Sequence, residues 1–285
     1  MSALAPIPLF LLVGQSNMAG RGTIDELPQP FRAPVSRVLY DYVCSFGADR
    51  GEPFESGGAY RSDGWSALAP CRKHPSTEAP HFGPEIGFAE RTIALIAARM
   101  PTTASTDRAG DTPVIAIIKH GRGGTNLHSD WDPAAESGRR LYHQMIEQYR
   151  ARATELDGRG PRFAPSGLCW FQGEGDTLDT DSASLYAERL TAWIARIRSD
   201  LSAPSLPFVA AQIKPGADTH PRTGKPWMVY SDVVRHAIEG VMLEDPYCAL
   251  VETDDLGTSD LVHLDSDGLL EVGRRMADAV DSLRS

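Results

Sequence analysis

Six short apolar runs, at 8–13, 35–43, 113–119, 167–172, 206–213 and 247–251, alternate along this chain with longer stretches carrying apolar residues at three- and four-residue spacing. Those stretches, at 85–99, 134–156, 183–201, 227–243 and 267–283, read as amphipathic helices, and the short runs as strands. Such alternation admits few folds, because each crossover between parallel strands lays its helix on a face of the sheet. Leu9 to Val13 is apolar throughout, as a central strand covered on both faces should be. The pattern predicts an α/β fold: a three-layer α/β/α sandwich with a central parallel sheet of about five strands, flavodoxin-like in kind. No boundary divides the chain, which reads as a single domain, 1–285. One region departs from the pattern. Residues 47–84 are rich in Gly, Pro and Ser, show little periodicity and carry Phe54, Tyr60, Trp65 and His81. A loop of that length in a compact domain is usually functional or disordered, and its aromatic content favours a wall or lid over a ligand.

The chain carries 38 Asp and Glu against 28 Lys and Arg, a formal net charge of -10. With no cluster of Lys or Arg, this argues against a nucleic-acid or anionic-membrane surface and for neutral or weakly charged ligands. No apolar stretch approaches the roughly 20 residues that span a bilayer. Cys44, Cys71, Cys169 and Cys248 lie far apart without CxxC spacing and read as reduced thiols, which predicts an intracellular, cytoplasmic protein. The apolar run 3–13 lacks the basic flank of a signal peptide and is read as the first strand. His81, His120 and His128 form neither HxH nor HExxH, and no phosphate loop is present, so neither metal nor cofactor is expected.

Chemistry is concentrated where strands end, which is where ligands of open α/β sheets bind. The first run gives way to Gly14-Gln15-Ser16-Asn17-Met18-Ala19-Gly20, whose glycines free the turn to present Ser16 as a nucleophile. After the third run comes His120-Gly121-Arg122-Gly123-Gly124-Thr125, where paired glycines suit a backbone N–H donor to an oxyanion. The fourth ends in Trp170-Phe171-Gln172-Gly173-Glu174-Gly175-Asp176. There Gln172 offers a carboxamide donor, and Glu174 either orients a histidine or is an acidic residue at a helix start. Beyond the last run, Asp260 and His263 stand three apart on one turn. That spacing lets the carboxylate hold one imidazole nitrogen while the other takes a proton from serine.

In chain order, GQSNMAG at 14–20, GGT at 123–125, WFQGEGD at 170–176 and DLVH at 260–263, with FGPEIGFA at 82–89, resemble the blocks of the SGNH hydrolase superfamily. More narrowly they are similar to the sialate O-acetylesterase and acetylxylan esterase group, carbohydrate esterase family 6. The resemblance implies a serine esterase that removes acetyl groups from carbohydrates, with Ser16 as nucleophile, His263 as general base and Asp260 as orienting acid. It implies an oxyanion hole made by the Ser16 N–H, the N–H of Gly124 or Gly123, and the Gln172 side chain. Glu174 competes with Asp260, because some members of the group are assigned the glutamate of that block as the acid; the shared turn favours Asp260. Gln15, Gly123, Arg122, Trp65, His81 and Arg21 are candidate substrate contacts. The expected partner is a small molecule or oligosaccharide bearing O-acetyl groups. A broader SGNH esterase or thioesterase and a non-catalytic carbohydrate-binding protein of the same fold are the competing readings; the presence of serine, histidine and acid together argues against the second.

Overall fold

The computed structural model describes residues 6–45, 60–71, 81–99, 113–155, 163–220 and 223–284. The first half holds β1 (Ile7–Gly14), α1 (Ser16–Ala19), β2 (Gly22–Thr23), β3 (Val35–Ser45), β4 (Tyr60–Arg61), β5 (Ser66–Leu68), β6 (His81–Phe82), α2 (Glu85–Arg99) and β7 (Ile115–Arg122). The second holds α3 (Leu141–Glu155), β8 (Phe163–Phe171), α4 (Thr180–Ser184), α5 (Tyr186–Asp200), β9 (Phe208–Ala211), α6 (Ser231–Glu244), β10 (Cys248–Val251) and α7 (Ser266–Leu283).

All six apolar runs form strands, side by side and parallel in the order β3-β7-β1-β8-β9-β10. Five of them, β7-β1-β8-β9-β10, have the 2-1-3-4-5 order of a flavodoxin-like sheet. The sixth, β3, extends it outside β7. Strands β4 and β5 return antiparallel along β3, so residues 60–71 include sheet edge where the sequence suggested only loop. They satisfy backbone groups that the outer edge of β3 would otherwise leave open. The parts of the expected lid at 46–59 and 72–80, Phe54 among them, lie outside the described residues.

The two-residue period of β1 feeds both layers. Leu9, Leu11 and Val13 pack in one apolar cluster with Met145 of α3, Trp193 of α5 and Ile238 of α6. Phe10 and Leu12 pack in the other with Phe88 of α2 and Met276 of α7. Helix α3 begins at Leu141, not near 134, because Gly138 (φ 78) and Arg140 (φ 50) are both left-handed and stop a right-handed helix from starting earlier. Cys44, Cys71, Cys169 and Cys248 are buried free thiols. No helix among the described residues is long and apolar enough to cross a membrane.

Strand β1 lies between β7 and β8, so the chain crosses one way after β1 and returns the other way to reach β8. The crevice beyond its carboxyl end is the topological switch point of the sheet. Below it Lys119 and Glu85 form a fully buried ion pair at 2.6 Å. The Lys119 ammonium also donates to the Ala19 carbonyl at 2.8 Å, and Glu85 accepts from the Gly83 N–H. The end of α1 is thereby fastened to β7 and α2.

Candidate active site

Ser16 is the first residue of α1, directly beyond β1. The turn is tight: a Cβ on Gly14 would lie 2.1 Å from the Phe171 carbonyl oxygen, and one on Gly20 (φ 84) 2.1 Å from the Gly83 Cα. Only glycine fits either place.

From the other side of the crevice, His263 Nε2 lies 2.9 Å from Ser16 Oγ, and its Nδ1 lies 2.7 Å from Asp260 Oδ2. Asp260 Oδ1 accepts the N–H groups of Val262 (2.9 Å) and His263 (2.8 Å), so the carboxylate shapes the turn that carries the histidine. Partial burial opposes ionisation of Asp260, but these bonds and the imidazole hold its pKa down at about 2. Burial of His263, and then the nearby Arg21 charge, lower its pKa below the usual 6.5 against the pull of Asp260. Arg21 Nη1 stands 3.7 Å from Asp260 Oδ2.

Glu174 is not hydrogen-bonded to the histidine. Its Oε1 accepts from Asn17 Nδ2 at 2.9 Å, and its buried Oε2 has no hydrogen-bond partner among the described residues. Asn17 grips the main chain on both sides of His263, donating to the Val262 carbonyl at 3.0 Å and accepting the Leu264 N–H at 3.0 Å. Burial raises the Glu174 pKa to about 7 against its hydrogen bonds, and the Asp176 charge adds to the rise. Asn17 was not among the residues singled out from sequence; its one local signal is its place beside the nucleophile.

The N–H of Gly123 is engaged by the Ser45 carbonyl at 2.9 Å. The N–H groups of Ser16 and Gly124 (φ 66) donate to no group among the described residues and border the same cleft. Gln172 does not behave as expected. It is fully buried, and its Nε2 faces Asp176 Oδ2 (2.7 Å), Thr125 O (3.1 Å) and Gln15 Oε1 (3.3 Å). Two protons shared among three acceptors leave none for an oxyanion. Gln15 does reach the cleft. Its Oε1 faces Gln172 Nε2, Gly175 N (3.3 Å) and Gly173 N (3.5 Å), which turns its amide nitrogen outward.

The cleft encloses about 200 Å³. Leu178, Trp227 and Val262 supply its apolar wall, and Arg21 stands at the rim beside Ser16 and His263. Leu178 and Trp227 were missed from sequence, Trp227 because it falls in a stretch that reads as helix. Three candidate contacts are elsewhere. Trp65, just before β5, donates to the Arg152 carbonyl at 3.2 Å and packs 5.1 Å from Phe163, the first residue of β8. Arg122 is buried in β7 beside Ser45. His81 is buried in β6, where its main chain bridges to Cys71.

A mostly parallel sheet in flavodoxin-like order, with a serine at its switch point facing a histidine, is the arrangement of a serine hydrolase candidate on a three-layer α/β/α sandwich. Residues 6–282 match the family described as carbohydrate esterase, sialic acid-specific acetylesterase, and the chain belongs to that family of carboxylic ester hydrolases. It is 28% identical over 291 residues to the probable carbohydrate esterase At4g34215 of Arabidopsis thaliana, covering 98% of this chain and 92% of that one. The X-ray structure of the Arabidopsis protein superposes with a TM-score of 0.66 at 24% identity, over 97% of this chain and 98% of that chain. The carbohydrate acetylesterase XAC1771 from Xanthomonas citri gives a TM-score of 0.63 at 20% identity, over 96% of this chain and 56% of its own. NanS gives 0.63 at 15% identity, over 99% of each chain. The family resemblance and the fold class expected from sequence are both borne out.

Proposed function

We propose that this enzyme removes acetyl groups from O-acetylated carbohydrates through a Ser16 acyl-enzyme. The observation that carries the reading is the Ser16 Oγ to His263 Nε2 contact of 2.9 Å, with Nδ1 of the same ring held by Asp260. Ser16 Oγ attacks the acetyl carbonyl while His263 takes its proton, and Asp260 fixes the tautomer and stabilises the imidazolium. The oxyanion is met by the N–H groups of Ser16 and Gly124 and by the amide nitrogen of Gln15, which replaces Gln172 in that part. Nε2 then protonates the departing sugar oxygen, and water repeats the cycle on the acyl-enzyme. The family description and the Xanthomonas relative support acetyl as the acyl group, and a cleft of about 200 Å³ suits a short one.

The test is hydrolysis of 4-nitrophenyl acetate and butyrate by wild type and Ser16→Ala, with folding checked by circular dichroism. Wild type is expected to prefer acetate and the folded variant to be inactive. Full turnover by folded Ser16→Ala would overturn the mechanism.

A further inference from the structure

The apolar wall of the cleft is built from two segments that converge from different parts of the chain. Ala217 and Trp227 exchange both main-chain hydrogen bonds, at 3.0 and 2.9 Å. The next residue, Met228, is held left-handed at φ 53 with its side chain buried in the core. A non-glycine residue in that conformation persists only where its surroundings fix it, and such strain gathers at ligand sites. The Trp227 ring packs against His220 in a T-shaped pair, centroids 4.9 Å apart and planes at 88°. The Tyr230 N–H donates to the Thr177 carbonyl at 3.1 Å, which brings Leu178 alongside this segment.

The same two segments carry apolar side chains that nothing in the fold requires to be outside. Leu178 is 51% exposed and Val229 63%, and Val233 follows at 46% on the first turn of α6. Of these Leu178 lines the cleft with Trp227, and exposed apolar side chains gathered at a cleft mark a ligand surface. Its place relative to the chemistry decides which part of a substrate meets it. The leaving oxygen must sit at His263 Nε2 to be protonated, while the acyl oxygen sits at Gly124 and Gln15. Val262, beside His263, lines the cleft together with Trp227 and Leu178. The wall therefore flanks the leaving alcohol.

Resting on the esterase reading, we infer that Trp227 and Leu178 form a subsite for the alcohol half of the substrate, and that this alcohol is a pyranose ring lying with its apolar C–H face on the Trp227 indole. A pyranose presents such a face and keeps its hydroxyls outward to water, which matches an apolar wall open at its rim. A short aliphatic alcohol leaves the wall uncovered.

The experiment compares kcat/KM for an O-acetylated methyl pyranoside with that for ethyl acetate, which has no ring on the alcohol side. Wild type should favour the pyranoside, and Trp227→Ala should cut the ratio of the two constants by about tenfold, chiefly through KM. Trp227→Phe should restore most of the ratio, Leu178→Ser should lower it, and Leu243→Ser, at the far end of α6, should leave it alone. A ratio unchanged in both folded Trp227→Ala and Leu178→Ser, or equal loss on both esters, overturns the subsite and spares the esterase reading. Failure of wild type to hydrolyse either ester overturns both. The rim variant Leu178→Ser keeps the result decisive even if Trp227→Ala does not fold.

Discussion

Glu174 and Asn17 are joined by a 2.9 Å hydrogen bond, and Asn17 in turn holds the carbonyl of Val262 and the N–H of Leu264. The carboxyl that competed with Asp260 is thus bonded to the side chain that holds the loop from which His263 projects, one residue removed from the imidazole. Glutamine at 174 can still accept from Asn17, whereas alanine cannot. Glu174→Gln is expected to keep kcat within about threefold, and Glu174→Ala to lose about tenfold, since small misplacements of a catalytic group are costly. Asp260→Asn should lose about 1000- to 10000-fold, as expected when the wrong imidazole tautomer is held. Single-turnover and steady-state rates on one acetate ester check all three; near-normal turnover by Asp260→Asn would hand the acid's role back to Glu174.

The acid limb of the activity profile follows from His263. Burial and Arg21 lower its pKa below 6.5. On the proposed mechanism the base works as the neutral imidazole, so activity is full above that pKa and lost as pH falls through it. Half-maximal kcat/KM is therefore expected below pH 6.5. Arg21→Gln removes a cation that disfavours the imidazolium, so its limb should move to higher pH. A profile of kcat/KM from pH 4 to 8 decides this, and a limb that stays put in Arg21→Gln would contradict the assignment.

Gln15 and Gln172 should separate by what they damage. Gln15→Ala removes a donor facing the cleft, and one such donor is worth roughly 100- to 1000-fold in turnover. Its melting temperature should change little. Gln172→Ala instead removes a buried donor to Asp176 (2.7 Å) and a buried acceptor for the Tyr186 hydroxyl (3.0 Å), although Asp176 keeps the Leu127 N–H and Tyr186 the main-chain carbonyl of residue 172. Losing such buried hydrogen bonds costs about 0.5–1.5 kcal/mol each, so the expected effect is a lowered melting temperature. Thermal denaturation beside kcat for both variants is the check, and a large kcat loss in a fully stable Gln172→Ala would restore it to the oxyanion hole.

The contrast between those glutamines shows what a sequence can carry. The convergence of Ser16, Asp260 and His263 was legible because its signals are local: a serine at the end of a strand and two residues three apart on a turn. Strands β1, β7 and β8 were legible because burial on both faces demands unbroken apolar runs. A strand-end position says where the backbone of Gln172 goes, but its side chain is turned by Asp176, Thr125 and Tyr186, none of which the strand pattern could place. Trp65 was misjudged for a similar reason, since the direction of two- and three-residue strands like β4 and β5 is set by the edge they pair with. Trp227 was hidden because its position beside the cleft depends on a left-handed Met228, and methionine carries no sign of that conformation.

The Lys119–Glu85 pair gives a last test, which separates holding the fold from holding the nucleophile. Both side chains are fully buried, 2.6 Å apart. Lys119→Met strands a carboxylate, and breaking a buried pair in this way costs about 3–5 kcal/mol. Replacing both partners with apolar residues removes the stranded charge, so Lys119→Met/Glu85→Met should recover much of that loss in urea denaturation. Activity should not recover with it. Lys119 also donates to the Ala19 carbonyl at 2.8 Å, the bond that fastens the end of α1 under Ser16. The double variant is therefore expected to be well folded with kcat still lowered by about tenfold, because Ser16 is no longer held at His263. If stability and kcat return together, α1 is positioned by its glycine turns alone and the lysine serves only to neutralise Glu85.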